Sequence, residues 1–173
     1  MTILPNIAFI GRAGAGKTTA RQYLEEAYGY EPISFAAPLK AGCGTADDRG
    51  LLQRVGQGVR DLHEDFWVNL LLEEKRACAN EGQRFFTVDD CRHPNEAAAL
   101  KGEGFIIVRV DTALSVRRDR LKRNGRLQDE QQLYHVSETS LDSFREDYVV
   151  YNNNAWPEDL HVQLDDIVNR ERS

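Results

Sequence analysis

Hydrophobic positions along this chain fall in short runs that alternate with longer stretches of helical spacing. Apolar runs predict strands at 7–10, 30–35, 84–88, 105–110 and 148–151. Helical spacing predicts helices at 17–28, 51–63, 65–80, 94–101, 112–123 and 157–168. Because helices separate the strands and the strands carry few charges, the strands should pair in parallel and be covered on both faces. The pattern therefore predicts a three-layer α/β fold with about five parallel strands.

Two polar segments, 41–50 and 124–139, fit neither pattern and are predicted to be mobile loops or lids. The length of 173 residues suits one domain spanning 1–173. Ligands of parallel α/β sheets bind beyond the carboxyl ends of the strands. We therefore expect the ligand-binding and catalytic residues to follow the carboxyl ends of the predicted strands.

Composition narrows the possible partners. The chain is 41% hydrophobic and 29% charged, with a net charge of −6. This net charge disfavours nucleic acid as a partner. Three cysteines without close pair spacing (Cys43, Cys78 and Cys91) suggest free thiols in a reducing cytoplasm. Since no apolar run approaches the roughly 20 residues of a membrane span and the N-terminus lacks a basic signal region, we expect a soluble cytoplasmic protein without membrane contact.

A glycine-rich stretch, GRAGAGKT at 11–18, fits G-x-x-x-x-G-K-[ST] between a predicted strand and a predicted helix. Glycines let successive backbone N–H groups point at one anion, and the start of the helix adds its positive dipole end. Lys17 is expected at the β- and γ-phosphates of ATP, and Thr18 at Mg²⁺. A glycine turn that binds nothing is the alternative. The predicted nucleotide-binding residues are Arg12, Ala13, Gly14, Ala15, Gly16, Lys17, Thr18 and Thr19.

The predicted strand 84–88 ends in two acids, Asp89 and Asp90. An acid at this place can face Mg²⁺, and because adjacent strand side chains alternate, only one of the two can do so. We favour Asp90 as the catalytic acid and metal ligand, with Asp89 as the second candidate; capping of the following turn is the alternative. Arg92 is expected to neutralise a substrate phosphate. His93 is interpreted as a turn residue, because phosphoryl transfer does not need a histidine base.

The segment 117–126 holds six basic residues and one acid. On a helix, Arg117, Arg120 and either Arg123 or Asn124 share one face. Placed after the fourth strand, this face would look at the transferring phosphate, which predicts a catalytic lid at about 117–140. A solvated helix face and a nucleic-acid patch are the alternatives.

Several stretches together resemble one family. The chain resembles the deoxynucleoside monophosphate kinases encoded by bacteriophages, within the nucleoside monophosphate kinase group of P-loop proteins. The stretches are GRAGAGKTT (11–19), FAAPLK (35–40), LLQRVGQGVR with FW (51–60, 66–67), DDCRHPNEAAAL (89–100), HVSETSLDSF (135–144) and DYVVYNN (147–153). The resemblance implies a P-loop fold and transfer of the γ-phosphoryl group of ATP to a deoxynucleoside monophosphate, with Mg²⁺ and without a macromolecular partner, in a monomer or homodimer.

The resemblance also implies an acceptor-binding insert at about 36–80. Lys40 would lie near the acceptor phosphate, Trp67 would stack on the base or belong to the core, and Glu96 would orient Arg92. Asp147 and the asparagines after the last strand would lie near adenine. The implied substrate-binding residues are Phe35, Lys40, Gln57, Arg60, Trp67, Arg92 and, in the lid, Arg126.

Other functions remain open at this stage. A P-loop kinase for another small acceptor, such as phosphomevalonate, gluconate or shikimate, would share the phosphate loop. A nucleotide-dependent ATPase or switch module would share it too, although no NKxD-type guanine motif is present in the sequence.

Overall fold

The computed structural model describes residues 3–43, 49–82, 85–127, 129–130, 133, 139–154 and 156–173. The strands are β1 (Asn6–Ile10), β2 (Glu31–Pro32), β3 (Phe86–Val88), β4 (Phe105–Asp111) and β5 (Tyr148–Tyr151). The helices are α1 (Lys17–Tyr28), α2 (Ala37–Cys43), α3 (Arg49–Leu62), α4 (Phe66–Asn80), α5 (Pro94–Gly102), α6 (Leu114–Arg123) and α7 (Glu158–Glu171).

The five strands form one parallel sheet in the order β2-β3-β1-β4-β5. The central strand β1 pairs with β3 and β4, so that Ile7 lies opposite Thr87 on one side and Ile106 on the other. The predicted parallel sheet is confirmed. Its register brings the connections after β1, β3 and β4 to the same edge, where the candidate site lies.

Alternating residues of β1 supply two separate cores. Ile7 and Phe9 pack in a cluster with residues of α1 and α7, whereas Ala8 and Ile10 pack in a cluster with residues of α4 and α5. All four are completely buried. The predicted helical layers on both faces are therefore confirmed. Within the described part of the chain, no helix combines the length and apolar character needed to cross a bilayer.

The second strand is much shorter than its predicted range of 30–35. Ile33 still donates its N–H to the Thr87 carbonyl (3.0 Å), but the N–H groups of Phe35 and Ala36 turn to the carboxylate of Asp90. Bonds to a side chain replace the ladder there, so the strand ends and α2, which the pattern did not predict, begins.

Parts of the predicted loops prove to be helical. Residues 41–43 complete α2, and residues 49–50 begin α3. Residues 44–48, 83–84, 128, 131–132, 134–138 and 155 lie outside the described residues. The start of the predicted third strand and much of the predicted lid fall among them.

Candidate nucleotide-binding site

The loop between β1 and α1 has a conformation that needs glycine. Gly11, Gly14 and Gly16 have φ values of 134°, 78° and 106°. A Cβ on Gly16 would lie 2.1 Å from Asn152 Nδ2, and one on Gly14 would lie 2.9 Å from the carbonyl oxygen of Arg117. Both the backbone angle and the space therefore require glycine at these positions. The loop ends at the first turn of α1, where helix N–H groups favour an anion.

One carbonyl group fixes this loop to the rest of the fold. The Ala15 oxygen accepts hydrogen bonds from Thr112 Oγ1 (3.0 Å), Asn152 Nδ2 (2.8 Å) and Arg120 Nη1 (3.5 Å). Thr112 and Asn152 are buried. The connections that follow β4 and β5 thus hold the loop from two sides, and a network of buried polar groups of this kind is rigid.

Lys17 lies where the phosphate-loop motif places its lysine. Its Nζ donates to the carbonyl oxygens of Gly11 (2.5 Å) and Arg12 (3.2 Å). Gly11, Lys17, Arg92 and Asp142 are among the residues that line one small cavity. Lys17 and Arg92 therefore border a common space.

Asp89 faces the first turn of α1. Its Oδ2 accepts a hydrogen bond from Thr18 Oγ1 (2.7 Å) and pairs with Arg21 Nε (3.2 Å). A hydroxyl and a carboxylate that meet at the end of a phosphate loop are the hard oxygen donors that Mg²⁺ prefers. The donor set of Thr18 and Asp89 fits the ion.

Asp90 points the other way, as strand alternation requires. It is buried, and its carboxylate accepts hydrogen bonds from Ser34 Oγ (2.7 Å) and the N–H groups of Phe35 (3.1 Å) and Ala36 (2.9 Å). Burial raises the pKa of Asp90, while these hydrogen bonds oppose the rise. These contacts hold the β2–α2 connection and disfavour the preferred choice of Asp90 as metal ligand and catalytic acid. Asp89, the second candidate, takes the position beside Thr18.

Glu96 organises the turn that presents Arg92. Its Oε2 accepts the N–H groups of Arg92 (2.8 Å) and His93 (3.0 Å), and its Oε1 accepts Arg60 Nη2 (2.9 Å). Only 1% of Glu96 is exposed. Glu96 thus positions the backbone of Arg92 and the guanidinium of Arg60, whereas the resemblance had paired it with Arg92 alone.

A groove of about 490 Å³ opens beside this turn. Gln57 and Arg60, both implied at the acceptor, line it together with His93, and Gln57 Nε2 also donates to Asp61 (2.8 Å). Burial lowers the pKa of His93, and the charges of Arg60 and Arg92 lower it further, against the opposing effect of Glu96. His93 is therefore neutral at pH 7, in agreement with its interpretation as a turn residue. The other lining residues are Asp61, Glu64, Pro94 and Asn95.

Of three further residues implied at the acceptor, two are buried in the core and one is exposed. Trp67 is only 6% exposed, and its Nε1 donates to the Gly56 carbonyl (3.1 Å) within the α4 core. Phe35 belongs to the same core, and Lys40 is exposed on α2. The core alternative for Trp67 is therefore the correct one, and base stacking by this residue is not supported.

Two arginines of α6 donate hydrogen bonds to carbonyl groups in and around the phosphate loop. Arg117 is buried, with Nε on the Thr112 carbonyl (3.1 Å) and Nη1 on the Ala13 carbonyl (3.4 Å). Arg120 donates to the Asn154 carbonyl (3.0 Å) as well as to Ala15. Backbone carbonyl groups thus bind these two guanidinium groups against the loop, and the catalytic role of the two arginines stays a prediction. Arg126 is exposed at the end of this region.

The contacts of the segment 139–147, which precedes β5, with Arg109 and Arg92 were not predicted, although the resemblance covered most of this segment. Arg109, the one charged residue in the run FIIVRV, donates from β4 to the carbonyl oxygens of Leu141 (2.8 Å) and Phe144 (3.0 Å) and pairs with Glu146 (2.9 Å). In this segment Ser140 donates to the Arg92 carbonyl. A lone arginine in an otherwise apolar strand was the available signal, because a buried charge needs partners.

Comparisons with known proteins agree with this geometry. No known family model matches the chain. A protein of Acanthamoeba polyphaga mimivirus, named "Putative deoxynucleotide monophosphate kinase", is 27% identical over 91% of this chain and 93% of its own length. A shikimate kinase from Acinetobacter baumannii, solved with shikimate, has a TM-score of 0.65 at 20% identity, over 96% of this chain and 94% of that chain. A gluconokinase from Sinorhizobium meliloti has a TM-score of 0.62 at 19% identity, with the same coverage.

These comparisons confirm the P-loop kinase fold and the resemblance to deoxynucleotide monophosphate kinases that the sequence predicted. Together with the loop and its lysine, they support a kinase. The identity of the acceptor does not follow from them.

Proposed function

From this P-loop kinase fold, we propose that the protein transfers the γ-phosphoryl group of ATP to a deoxynucleoside monophosphate, which yields the diphosphate. The observation that carries the proposal is the shared cavity of Lys17 and Arg92. Lys17 belongs to the phosphate loop, and Arg92 belongs to the turn beside the groove of Gln57 and Arg60. The two residues proposed for the phosphates of the donor and of the acceptor therefore border the same small cavity.

The donor half is built mainly from backbone. The N–H groups of the loop 11–16 and the start of α1, with Lys17, would bind the phosphates of ATP. Thr18 and Asp89 would hold Mg²⁺, which when bound would offset negative charge on the phosphates. Arg21, paired with Asp89 at 3.2 Å, keeps that carboxylate in place.

The acceptor half is built from charged side chains. Arg92 would bind the acceptor phosphate, and Arg60, held by Glu96, would line its path. A phosphate oxygen of the acceptor attacks the γ-phosphorus in line, the bond from that phosphorus to the β–γ bridging oxygen breaks, and ADP leaves with the electron pair. A phosphate monoester has its second pKa near 6, so the nucleophile is already ionised at pH 7. The proposed reaction therefore requires no general base.

Hydroxyl-bearing acceptors are the second candidate, because the shikimate kinase and the gluconokinase share the fold. A hydroxyl group must lose a proton during transfer, whereas a phosphate oxygen need not. Arg60 is paired with Glu96 (2.9 Å), and Asp61 and Glu64 also line the groove, so Arg92 is the cation that would match the charge of an acceptor phosphate. This match favours the monophosphate.

The test is ADP release coupled to NADH oxidation, with ATP, Mg²⁺ and a panel of deoxynucleotides, ribonucleotides, shikimate and gluconate. We expect turnover that depends on a deoxynucleoside monophosphate and is lost by at least about 100-fold in Lys17→Ala, because the lysine charge is missing from the transition state. Lys75→Ala is the control, because it also removes a lysine charge but lies on α4, where Lys75 pairs with Glu103 (3.0 Å) at the end of α5. Turnover only with shikimate or gluconate, or hydrolysis without an acceptor, would contradict the proposal.

A further inference from the structure

Arg12 and Asp142 form an ion pair beside the cavity of Lys17 and Arg92. We propose that Arg12 is a further catalytic cation that contacts the phosphoryl group during transfer, and that Asp142 is the positioning residue that keeps the Arg12 guanidinium there. The fixed positions of the phosphate-loop motif do not include Arg12. This inference rests on the proposed function, since it concerns the same reaction.

The pair is bidentate. Arg12 Nε donates to Asp142 Oδ1 (3.3 Å), and Arg12 Nη2 donates to Asp142 Oδ2. Two parallel bonds fix the plane of the guanidinium as well as its position, which a lysine cannot reproduce. The two side chains are 34% and 43% exposed, and Asp142 is among the residues that line the cavity, so the ion pair lies at its edge.

The backbone around Asp142 is anchored on both sides. Arg109 binds the carbonyl oxygens of Leu141 and Phe144, and Ser140 donates to the carbonyl oxygen of Arg92. Asp142 N–H also donates to the Thr139 carbonyl (3.0 Å). The carboxylate is thus held in a fixed relation to the sheet and to the acceptor arginine. A carboxylate mounted in this way can hold its partner in one place.

The charges around the cavity explain why Asp142 needs Arg12 as its partner. The cavity is lined by Lys17, Arg92 and Arg109, and Asp142 brings a negative charge to the same wall. Arg109 is matched by Glu146 (2.9 Å). A carboxylate next to bound phosphates would repel them unless a cation lies between. Arg12 is bound to Asp142, and a guanidinium that fits a carboxylate also fits phosphate oxygens.

The test is a double-mutant cycle in the acceptor-dependent reaction, with Arg12→Gln, Asp142→Asn and both together. We expect Arg12→Gln to lower kcat about 100-fold. The KM for ATP and the KM for the acceptor should each change less than about 3-fold, because the contact of Arg12 with the phosphoryl group strengthens only as charge spreads in the transition state. Asp142→Asn should lower kcat about 10-fold. The double variant should be no slower than Arg12→Gln, because Asp142 acts through Arg12.

Two further variants separate this role from a structural one. Arg12→Lys should recover less than about one tenth of the lost kcat, because a lysine keeps the charge but not the fork. The cycle of Lys75→Gln and Glu103→Gln, an ion pair between α4 and the end of α5, should leave kcat within about 2-fold of the wild-type value. Melting temperatures of all variants show whether the fold is retained.

Three results would overturn the inference. A faster Asp142→Asn variant would mean that the carboxylate competes with phosphate for Arg12. Losses of kcat that add in the double variant would mean that Asp142 acts without Arg12. A rise in the acceptor KM alone in Asp142→Asn would mean that Asp142 touches the acceptor directly. Absence of any acceptor-dependent turnover in the wild-type protein would instead refute the proposed function, so the two failures are distinguishable.

Discussion

The two halves of the candidate site are built in different ways. The donor half is a backbone loop, in which glycines set the path and the Ala15 carbonyl fixes it through Thr112, Asn152 and Arg120. The acceptor half is a relay of charged side chains, in which Glu96 holds Arg60 and the backbone of Arg92. In the donor half, the space around the backbone limits which residues are tolerated. In the acceptor half, charge and hydrogen bonding limit which residues are tolerated.

This difference predicts how each half responds to change. One added methyl group in the backbone loop meets either a backbone carbonyl or the hydrogen-bonded amide of Asn152, so its effect should be large. One altered side chain in the relay should weaken a single interaction and give a graded loss. The two halves meet at Asp89 and Asp90, which face opposite directions from one turn.

The largest effect is expected from Gly16→Ala. The new Cβ would lie 2.1 Å from Asn152 Nδ2. The backbone φ of 106° at this position is also one that residues with a side chain rarely adopt. The amide must leave the Ala15 carbonyl, and the loop loses its shape. We expect ATP affinity to fall at least about 1,000-fold, because the loop supplies most of the phosphate contacts. Calorimetric titration with ATP measures the change.

Gly102→Ala is the matched control for Gly16→Ala. A Cβ on Gly102 would meet no atom within 4 Å, and the residue lies in the last turn of α5. Alanine is the better helix former, so stability should stay equal or rise by about 0.5–1 kcal/mol. ATP affinity that survives in Gly16→Ala would show that backbone geometry does not limit the donor half.

Asp89→Asn is expected to have the second-largest effect. The amide keeps one oxygen but loses the charge beside Thr18 that would hold Mg²⁺. We expect kcat to fall about 100-fold and the Mg²⁺ concentration for half-maximal activity to rise about 10-fold. Titration of activity with Mg²⁺ measures both. Unchanged Mg²⁺ dependence would contradict the assignment of Asp89.

Asp90→Asn provides the comparison within the same turn. Three donors point at this buried carboxylate, and an amide nitrogen would face at least one of them. We expect a loss of roughly 1–3 kcal/mol in the free energy of unfolding and little change in Mg²⁺ dependence. Urea unfolding gives the first quantity. The opposite pattern in the two variants would restore Asp90 as the metal ligand.

The donor half was predictable because its determinants are local in the sequence. The loop motif, the helix that starts at Lys17 and the end of that helix at Gly29 all lie within one continuous stretch. Gly29 has φ 73° and returns its N–H to Glu25, which is the ordinary glycine end of a helix. Nothing distant was needed to read these features.

The acceptor half was less predictable because distant residues decide it. Strand alternation showed that only one of Asp89 and Asp90 could face the metal, but the choice depended on Thr18 and on Ser34, which approach from other elements. Arg117 carried a charge that suggested catalysis, yet its guanidinium also donates to the Ala13 carbonyl in the distant phosphate loop (3.4 Å). The pattern within one segment does not contain such long-range pairings.

Arg92→Ala should give a graded loss in the acceptor half. The guanidinium is removed, but the turn remains because Glu96 binds the backbone N–H of residue 92. We expect kcat/KM for the deoxynucleoside monophosphate to fall about 30-fold and ATP affinity to change less than about 3-fold, because a single charged contact to phosphate is lost. Arg170→Ala, an exposed arginine of α7, is the control. A loss confined to ATP binding would show that the acceptor lies elsewhere.

The smallest effect is expected from His93. Burial lowers its pKa below the usual value near 6.5, with Arg60 and Arg92 adding to the effect and Glu96 opposing it. The folded state therefore binds the proton less readily than the unfolded state, so stability present above pH 6.5 declines as the pH falls below it. His93→Gln should remove this decline while kcat at pH 7.5 stays within about 3-fold of the wild-type value. Urea unfolding at pH 7.5 and 5.5 measures it, with the exposed His63→Gln variant as control. An equal decline of the free energy of unfolding in the wild type and in His93→Gln would mean that protonation of His93 does not cause the decline.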